Sequence, residues 1–330
     1  MLASVVQLAL AMAVILVGAE LFTNAVEWVG RRLGLGEGSV GSVLAAVGTA
    51  LPETVVPIVA IVFGSRSGQH IGIGAIVGSS FMLTTLAMAV SGLAVVVFTL
   101  RGRRGYTVRA EPAIIGRDLR MFIPAYALGV GAAFVRVPWV RAAVAVVLVA
   151  AYVVYVIRAV WQEEAMEGEL ERLILHRAAA EPDNARIAAQ AVVALGCIVG
   201  GAEWFVRSIE HVSASLGVAP MVLSLLITPF ATELPEKFNS VLWIRDGKDT
   251  LALGNITGAL VFQACLLPAI GIALTPWELQ RPAAVAAMVG VTAAAFALGS
   301  LSMRRRVHLA ALLGAGILYA SYVVYVALTI

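Results

Sequence analysis

Gly48-Thr49-Ala50-Leu51-Pro52-Glu53 and Ala231-Thr232-Glu233-Leu234-Pro235-Glu236 decide how this chain is read. Each sets a carboxylate and a helix-breaking proline inside an apolar segment long enough to lie in a bilayer. The two glutamates that end the motifs are 183 residues apart (236 − 53). Gly18-Ala19-Glu20-x-Phe22 recurs at the same offset as Gly201-Ala202-Glu203-x-Phe205, and Leu33-Gly34 as Leu216-Gly217. Several landmarks at one spacing imply an internal duplication. Broken helices carrying carboxylates in a duplicated membrane segment imply a secondary-transporter architecture.

Composition agrees. The chain of 330 residues is 61% hydrophobic and 13% charged, where soluble domains carry about 25% charged residues. Soluble-enzyme readings fall away with it: there is no P-loop, zinc or nucleophile-elbow motif. Cys197 and Cys265 fall in apolar runs and read as small core residues. His70, His176, His211 and His308 show no ligand spacing. No positive charge occurs in residues 1–7, and the apolar run that follows suits a spanning helix better than a signal segment.

Hydropathy predicts an all-α polytopic membrane protein with ten transmembrane helices, at about 2–29, 39–64, 70–99, 121–136, 138–160, 187–209, 218–244, 250–275, 281–302 and 307–329. Residues 161–186 hold six glutamates and read as a solvated acidic linker between a first unit, 1–160, and a second, 187–330. With ten spans, 17 Lys and Arg residues fall on one side of the membrane and five on the other. The basic side is cytoplasmic, so both termini are expected outside, in a plasma membrane. Five spans per half is an odd number, so the halves are expected as inverted-topology repeats.

Charge at bilayer depth costs roughly 2.5–3.5 kcal/mol per residue on insertion scales. Glu53, Glu233, Glu236 and Lys237 all sit at that depth. Mutual neutralisation is the plain structural alternative, but Glu53 and Glu236 occupy repeat-equivalent positions. Pro52 and Pro235 free carbonyls one turn earlier, beside Thr49 and Thr232, and such oxygens suit Na⁺ or Ca²⁺. Each proline span is followed by a glycine-rich one: Gly74-Ala75-Ile76-Val77-Gly78-Ser79-Ser80 and Gly254-Asn255-Ile256-Thr257-Gly258-Ala259-Leu260. The glycines serve close helix packing; Ser79, Ser80 and Asn255 add oxygens, and Gln263 follows about one turn after Leu260.

These motifs resemble those of the cation/Ca²⁺ antiporter superfamily, the sodium/calcium exchanger group, whose two α-repeats read G-T-S-x-P-E followed by G-N-x-x-G-S-N/D. Here the α-repeats would cover about 39–99 and 218–275. The resemblance implies a secondary antiporter that exports Ca²⁺ in exchange for Na⁺ or H⁺ by alternating access, and neither an enzyme nor a nucleic-acid binder. It implies no cofactor, with the lipid bilayer and transported cations as the expected partners. It makes Glu53 and Glu236 the principal Ca²⁺ or Na⁺ ligands, with Thr49, Thr232 and Ser79 supplying further oxygens. Ser80, Glu233 and Asn255 complete the candidate set, and Lys237 and Gln263 stand at its edge.

Departures leave the cargo open. Ala75 replaces an asparagine, Ser80 ends the first glycine motif, and Leu260 stands where a carboxylate is common. Glu233, three residues before Glu236 and expected on the same helix face, replaces a serine and is a candidate substitute for that carboxylate. Lys237 pairs with Glu233 or Glu236 at the site's edge, or takes the place of a monovalent cation. An antiporter of another cation with proton coupling, or a channel-like or non-transporting relative, are the alternatives. Glu20 and Glu203, matched across the repeats, are candidate entry-path residues.

Overall fold

The structure, a computed structural model, describes residues 2–32, 50–64, 66–160, 172–176, 181–304 and 306–329. Gly48, Thr49, Leu33-Gly34, the first part of the second expected span and most of the acidic linker lie outside the described residues. Every regular element among the described residues is helical, the form in which a segment satisfies its own backbone in hydrocarbon.

The first half runs α1 (Leu2–Arg32), α2 (Leu51–Phe63), α3 (Arg66–Met82), a π turn (Leu83–Ala87), α4 (Met88–Leu100), α5 (Pro112–Gly131) and α6 (Pro138–Val160). The second runs α7 (Asn184–Leu216), α8 (Pro220–Thr232), α9 (Leu234–Arg245), α10 (Asp249–Leu274), α11 (Arg281–Arg304) and α12 (Leu309–Thr329). Among the described residues, seven helical stretches are long and apolar enough to cross a bilayer. Ser67–Leu100 and Asp249–Leu274 are enclosed by their neighbours, with 67% of each apolar window buried, against 6% for Pro138–Arg158. The molecule is thus built around α3–α4 and α10, and α6 lies at its periphery.

Two expectations need correction. The seventh expected span is two helices, because Glu233 leaves helical geometry (φ −99°, ψ 5°) between α8 and α9. Glu233 and Glu236 therefore do not share one unbroken helix face. The fourth expected span begins at Pro112 instead of residue 121. Glu111 accepts a hydrogen bond from Ala113 N as the helix N-cap, and proline suits a first turn whose N–H groups have no intrahelical partner. Arg117, Asp118 and Arg120 are consequently helical residues, and Asp118 is buried.

Glycine sets the closest contacts. A Cβ on Gly74 would lie 2.3 Å from the Met221 carbonyl oxygen, and one on Gly78 would lie 2.2 Å from that of Leu225. The backbones of α3 and α8 therefore touch, and Ser224 Oγ of α8 donates to Ile71 O of α3 at 2.7 Å. On the other side of the molecule α1 meets α7. A Cβ on Gly18 would meet Cys197 and Ile198, and one on Gly201 would meet Ile15 and Val14, with nearest approaches of 2.9 Å in both cases. All three pairings, 18 with 201, 14 with 197 and 15 with 198, differ by 183. The contact is reciprocal, as across a two-fold axis.

Adding a methyl at Gly78 pushes α3 off α8. Gly78→Ala is expected to cost about 1–3 kcal/mol, as overpacking does, and to lower the thermal midpoint of the purified protein. Gly200→Ala, where an added Cβ meets nothing within 4 Å, is expected to leave the midpoint unchanged or slightly raised.

Candidate cation site

Five helix segments meet at the two proline motifs. α2 begins at Leu51, with Pro52 and Glu53 in its first turn. A proline there loses no hydrogen bond, and the helix N-terminus favours a carboxylate. α8 ends at Thr232 and α9 begins at Leu234-Pro235. Pro235 offers no N–H to the carbonyl of Ala231, so the ladder opens there. The break is one residue wide: Glu233 N still donates to Pro229 O at 3.1 Å, and Lys237 N donates to Glu233 O at 3.2 Å. α3 brings Ser79 and Ser80 just before its π turn, an insertion frequent at functional sites. α10 brings Gln263 from its enclosed middle.

One amide joins these segments. Gln263 Nε2 donates to Glu53 Oε2 at 2.6 Å and to Glu233 Oε1 at 3.1 Å. Lys237 Nζ donates to the other oxygen of Glu233 at 2.9 Å, and lies 3.1 Å from Met82 Sδ and 3.5 Å from Pro229 O. Ser79 lies beside the Glu233 carboxylate. Glu233 and Gln263 are fully buried, Glu53 is 2% exposed and Lys237 is 8% exposed. Burial of this depth strengthens each polar contact and makes the loss of any one costly. Gln263 Oε1 has no hydrogen-bond partner among the described residues. Carboxylate, amide and hydroxyl oxygens are hard donors, the type that Ca²⁺ and Na⁺ take.

The structure thus gathers Glu53, Glu233, Lys237, Gln263 and Ser79. Ser80 is buried one residue on, and Thr232 Oγ1 donates to Thr228 O at 3.1 Å, leaving its lone pairs free to accept. Glu236 falls in the first turn of α9, and its side chain lies outside the described residues, as does Thr49. Asn255 is half-buried and eight residues before Gln263, about 12 Å along the helix. No hydrogen bond joins Asn255 to the cluster among the described residues. Leu260 is a buried core residue in the largest apolar cluster. Gln263 lies 183 residues after Ser80 (263 − 80), the offset that relates the proline motifs. Glu20 and Glu203 are exposed, and Glu203 is paired with Arg207.

A second buried cluster escaped the sequence reading. Asp118 accepts from Thr257 Oγ1 at 2.7 Å, and from Tyr155 OH and Arg117 Nε at 3.0 Å each. It ties α5 and α6 to α10, on the turn that holds Asn255. The Glu111-Pro112 pair is the signal that could have placed Asp118 in a helix.

The profile of the family described as sodium/calcium exchanger protein matches residues 3–161 and 187–330. The chain belongs to that family. It is a family of exchangers, membrane transporters rather than enzymes, and the chain is a multi-pass membrane protein. Among curated relatives, "Putative antiporter CaxA" of Alkalimonas amylolytica is 28% identical over 113 residues, a stretch covering 34% of this chain and 35% of that protein. A crystal structure of the H⁺/Ca²⁺ exchanger CAX superposes with a TM-score of 0.70 at 15% identity, over 98% of this chain and 86% of that one. The sodium-calcium exchanger NCX_Mj superposes at 0.58 and 16% identity, over 98% of each chain. At such identities these likenesses carry the fold alone.

Gln263→Leu removes the donor shared by two buried carboxylates. The exchanger is expected to lose about 1–3 kcal/mol of stability, the cost of leaving buried acceptors unmade. Thermal unfolding of the variant beside the wild type measures it.

Proposed function

We propose that this chain is a secondary active antiporter that exports Ca²⁺ in exchange for Na⁺ or H⁺, by alternating access around a central glutamate site. The observation that carries the reading is the single Gln263 amide shared by Glu53 of the first proline motif and Glu233 of the second. Two motifs distant in sequence converge on one point at the enclosed centre of the molecule. Glu53 and Glu236 supply two negative charges, matched to one divalent cation. Thr49, Thr232, Ser79 and Ser80 are the further oxygen donors that this reading assigns, and Asn255 is left outside this set.

Gln263 has a specific part in this reading. Its NH₂ group faces the carboxylates and its Oε1 lies on the other side of the amide. When a cation arrives, a turn about the last side-chain torsion withdraws the donor and presents the oxygen. The amide donates to the carboxylates in the empty state, and the cation takes its place as their partner in the loaded one.

Ten spans arranged as two inverted five-helix repeats fit this reading. The reciprocal α1–α7 contact about Gly18 and Gly201 supports the internal two-fold. The long α3–π–α4 stretch counts as one span, as do α8 and α9 together. The Lys and Arg asymmetry supports external termini and a plasma-membrane location. A second reading, an antiporter of another cation with proton coupling, is favoured by one feature: Gln263 is neutral, and Glu233 is already paired with Lys237.

Reconstituted protein is expected to take up Ca²⁺ against an outward Na⁺ gradient or an outward H⁺ gradient. Glu53→Gln and Glu236→Gln are each expected to reduce the flux to background. Absence of Ca²⁺ flux with both gradients, in folded protein, sinks the Ca²⁺ assignment, and uncoupled current identifies a channel instead.

A further inference from the structure

Two departures from the motif pattern are each other's partners. Glu233 stands where the resembled motif has serine, and Lys237 directly follows the motif's last glutamate. The structure joins them in a buried ion pair at 2.9 Å. Together they add no net charge to a cluster in which every uncompensated charge is expensive.

The place of the ammonium is informative. Besides Glu233 Oε2, it approaches Pro229 O, a backbone carbonyl in the last turn of α8 before the break. Carboxylate oxygen and carbonyl oxygen at a helix break are the ligands that hold Na⁺ in discontinuous-helix transporters. Lysine brings a compact, strongly hydrated point charge on a flexible four-carbon stem. Here the stem is short enough, and the pair close enough in sequence (i, i+4), to keep that charge in place through a transport cycle. The remaining contact, Met82 Sδ, is a weak acceptor and adds no charge.

We propose that the Lys237 ammonium is a tethered substitute for a monovalent cation, held permanently in a cation position by Glu233 beside the Glu53/Glu236 site. The site then loads one cation fewer than its oxygen ligands would otherwise hold. This rests on the reading of Glu53 and Glu236 as cation ligands. Glu233 is accordingly the ligand of Lys237 and not of the transported ion.

The test titrates Na⁺ and Ca²⁺ against the thermal midpoint of purified full-length protein in alkaline buffer, with choline as the control cation. Three proteins are compared: wild type, Lys237→Met, and the charge-neutral Glu233→Gln/Lys237→Met. Lys237→Met leaves a buried carboxylate without its counter-charge, and its apparent Na⁺ affinity is expected to tighten about tenfold or more. The double variant is expected to return to the wild-type Na⁺ response and to keep its Ca²⁺ response within about threefold. A Lys237→Met protein with the wild-type Na⁺ response overturns the proposal. So does a double variant whose Ca²⁺ response is lost, because Glu233 would then be a ligand of the transported ion. If Lys237→Met unfolds without salt, recovery in NaCl but not in choline chloride supports the proposal, and recovery in neither overturns it. A wild type that ignores Ca²⁺ counts against the functional reading alone, since the Na⁺ comparison still decides the role of Lys237.

Discussion

A carboxylate at hydrocarbon depth must find partners, and the central architecture follows from that constraint. Glu53 and Glu233 cannot both be buried as neighbours unless a donor stands between them, and Gln263 Nε2 is that donor. For Gln263 to reach both, α10 must pass through the middle of the molecule, which its enclosure reflects. For Glu53 and Glu233 to face it, each must stand at or beside a helix start, where Pro52 and Pro235 interrupt the chain. Helix N-termini point partial positive charge at the carboxylates, offsetting part of their burial.

Close packing then fixes how accurately the segments are held. Gly74 and Gly78 let the backbone of α3 rest on that of α8, so Ser79 and Met82 arrive against the break rather than a side chain's width away. The π turn that follows is secured by Thr84 and Thr85, which donate to the carbonyls of Ser80 and Phe81. Without a hydrophobic driving force between helices in lipid, such contacts and interhelical hydrogen bonds supply the cohesion. Ser224 to Ile71 O and Thr257 to Asp118 are of that kind. The site is therefore supported by small residues and short polar bridges, and its oxygens sit on rigid elements.

Much of this was legible in the sequence because charge in an apolar run has few explanations. The proline motifs, the offset of 183 and the family resemblance all pointed to Glu53 and the α8–α9 region, and the structure buries Glu53 and Glu233 together there. What failed did so for physical reasons. The glycine motifs match at an offset of 180 (254 − 74), three short of the proline motifs, so they did not indicate which residue of α10 meets the carboxylates. Glycines answer to whichever helix lies closest, so their spacing can shift between halves. The residue of α10 that does reach the carboxylates is Gln263, 183 residues after Ser80. Asp118 was missed because hydropathy averages over a window. A buried aspartate with three donors looks the same as a loop aspartate until those donors, from three different helices, are in view.

The two halves are unequal where equality would be simplest. The first proline motif carries Glu53; the second carries Glu233 and Glu236, with Lys237 next in the chain, three charged residues within five. Adding Glu233 alone would have raised the negative charge of a cluster already short of donors. Adding Lys237 alone would have opposed any cation. Added together, four residues apart at the start of α9, they fill volume and satisfy the break while leaving the net charge as it was. Charge balance is conserved locally, and the geometry around it changes. A duplicated transporter can in this way alter what its centre holds without altering the sum that keeps the centre buried.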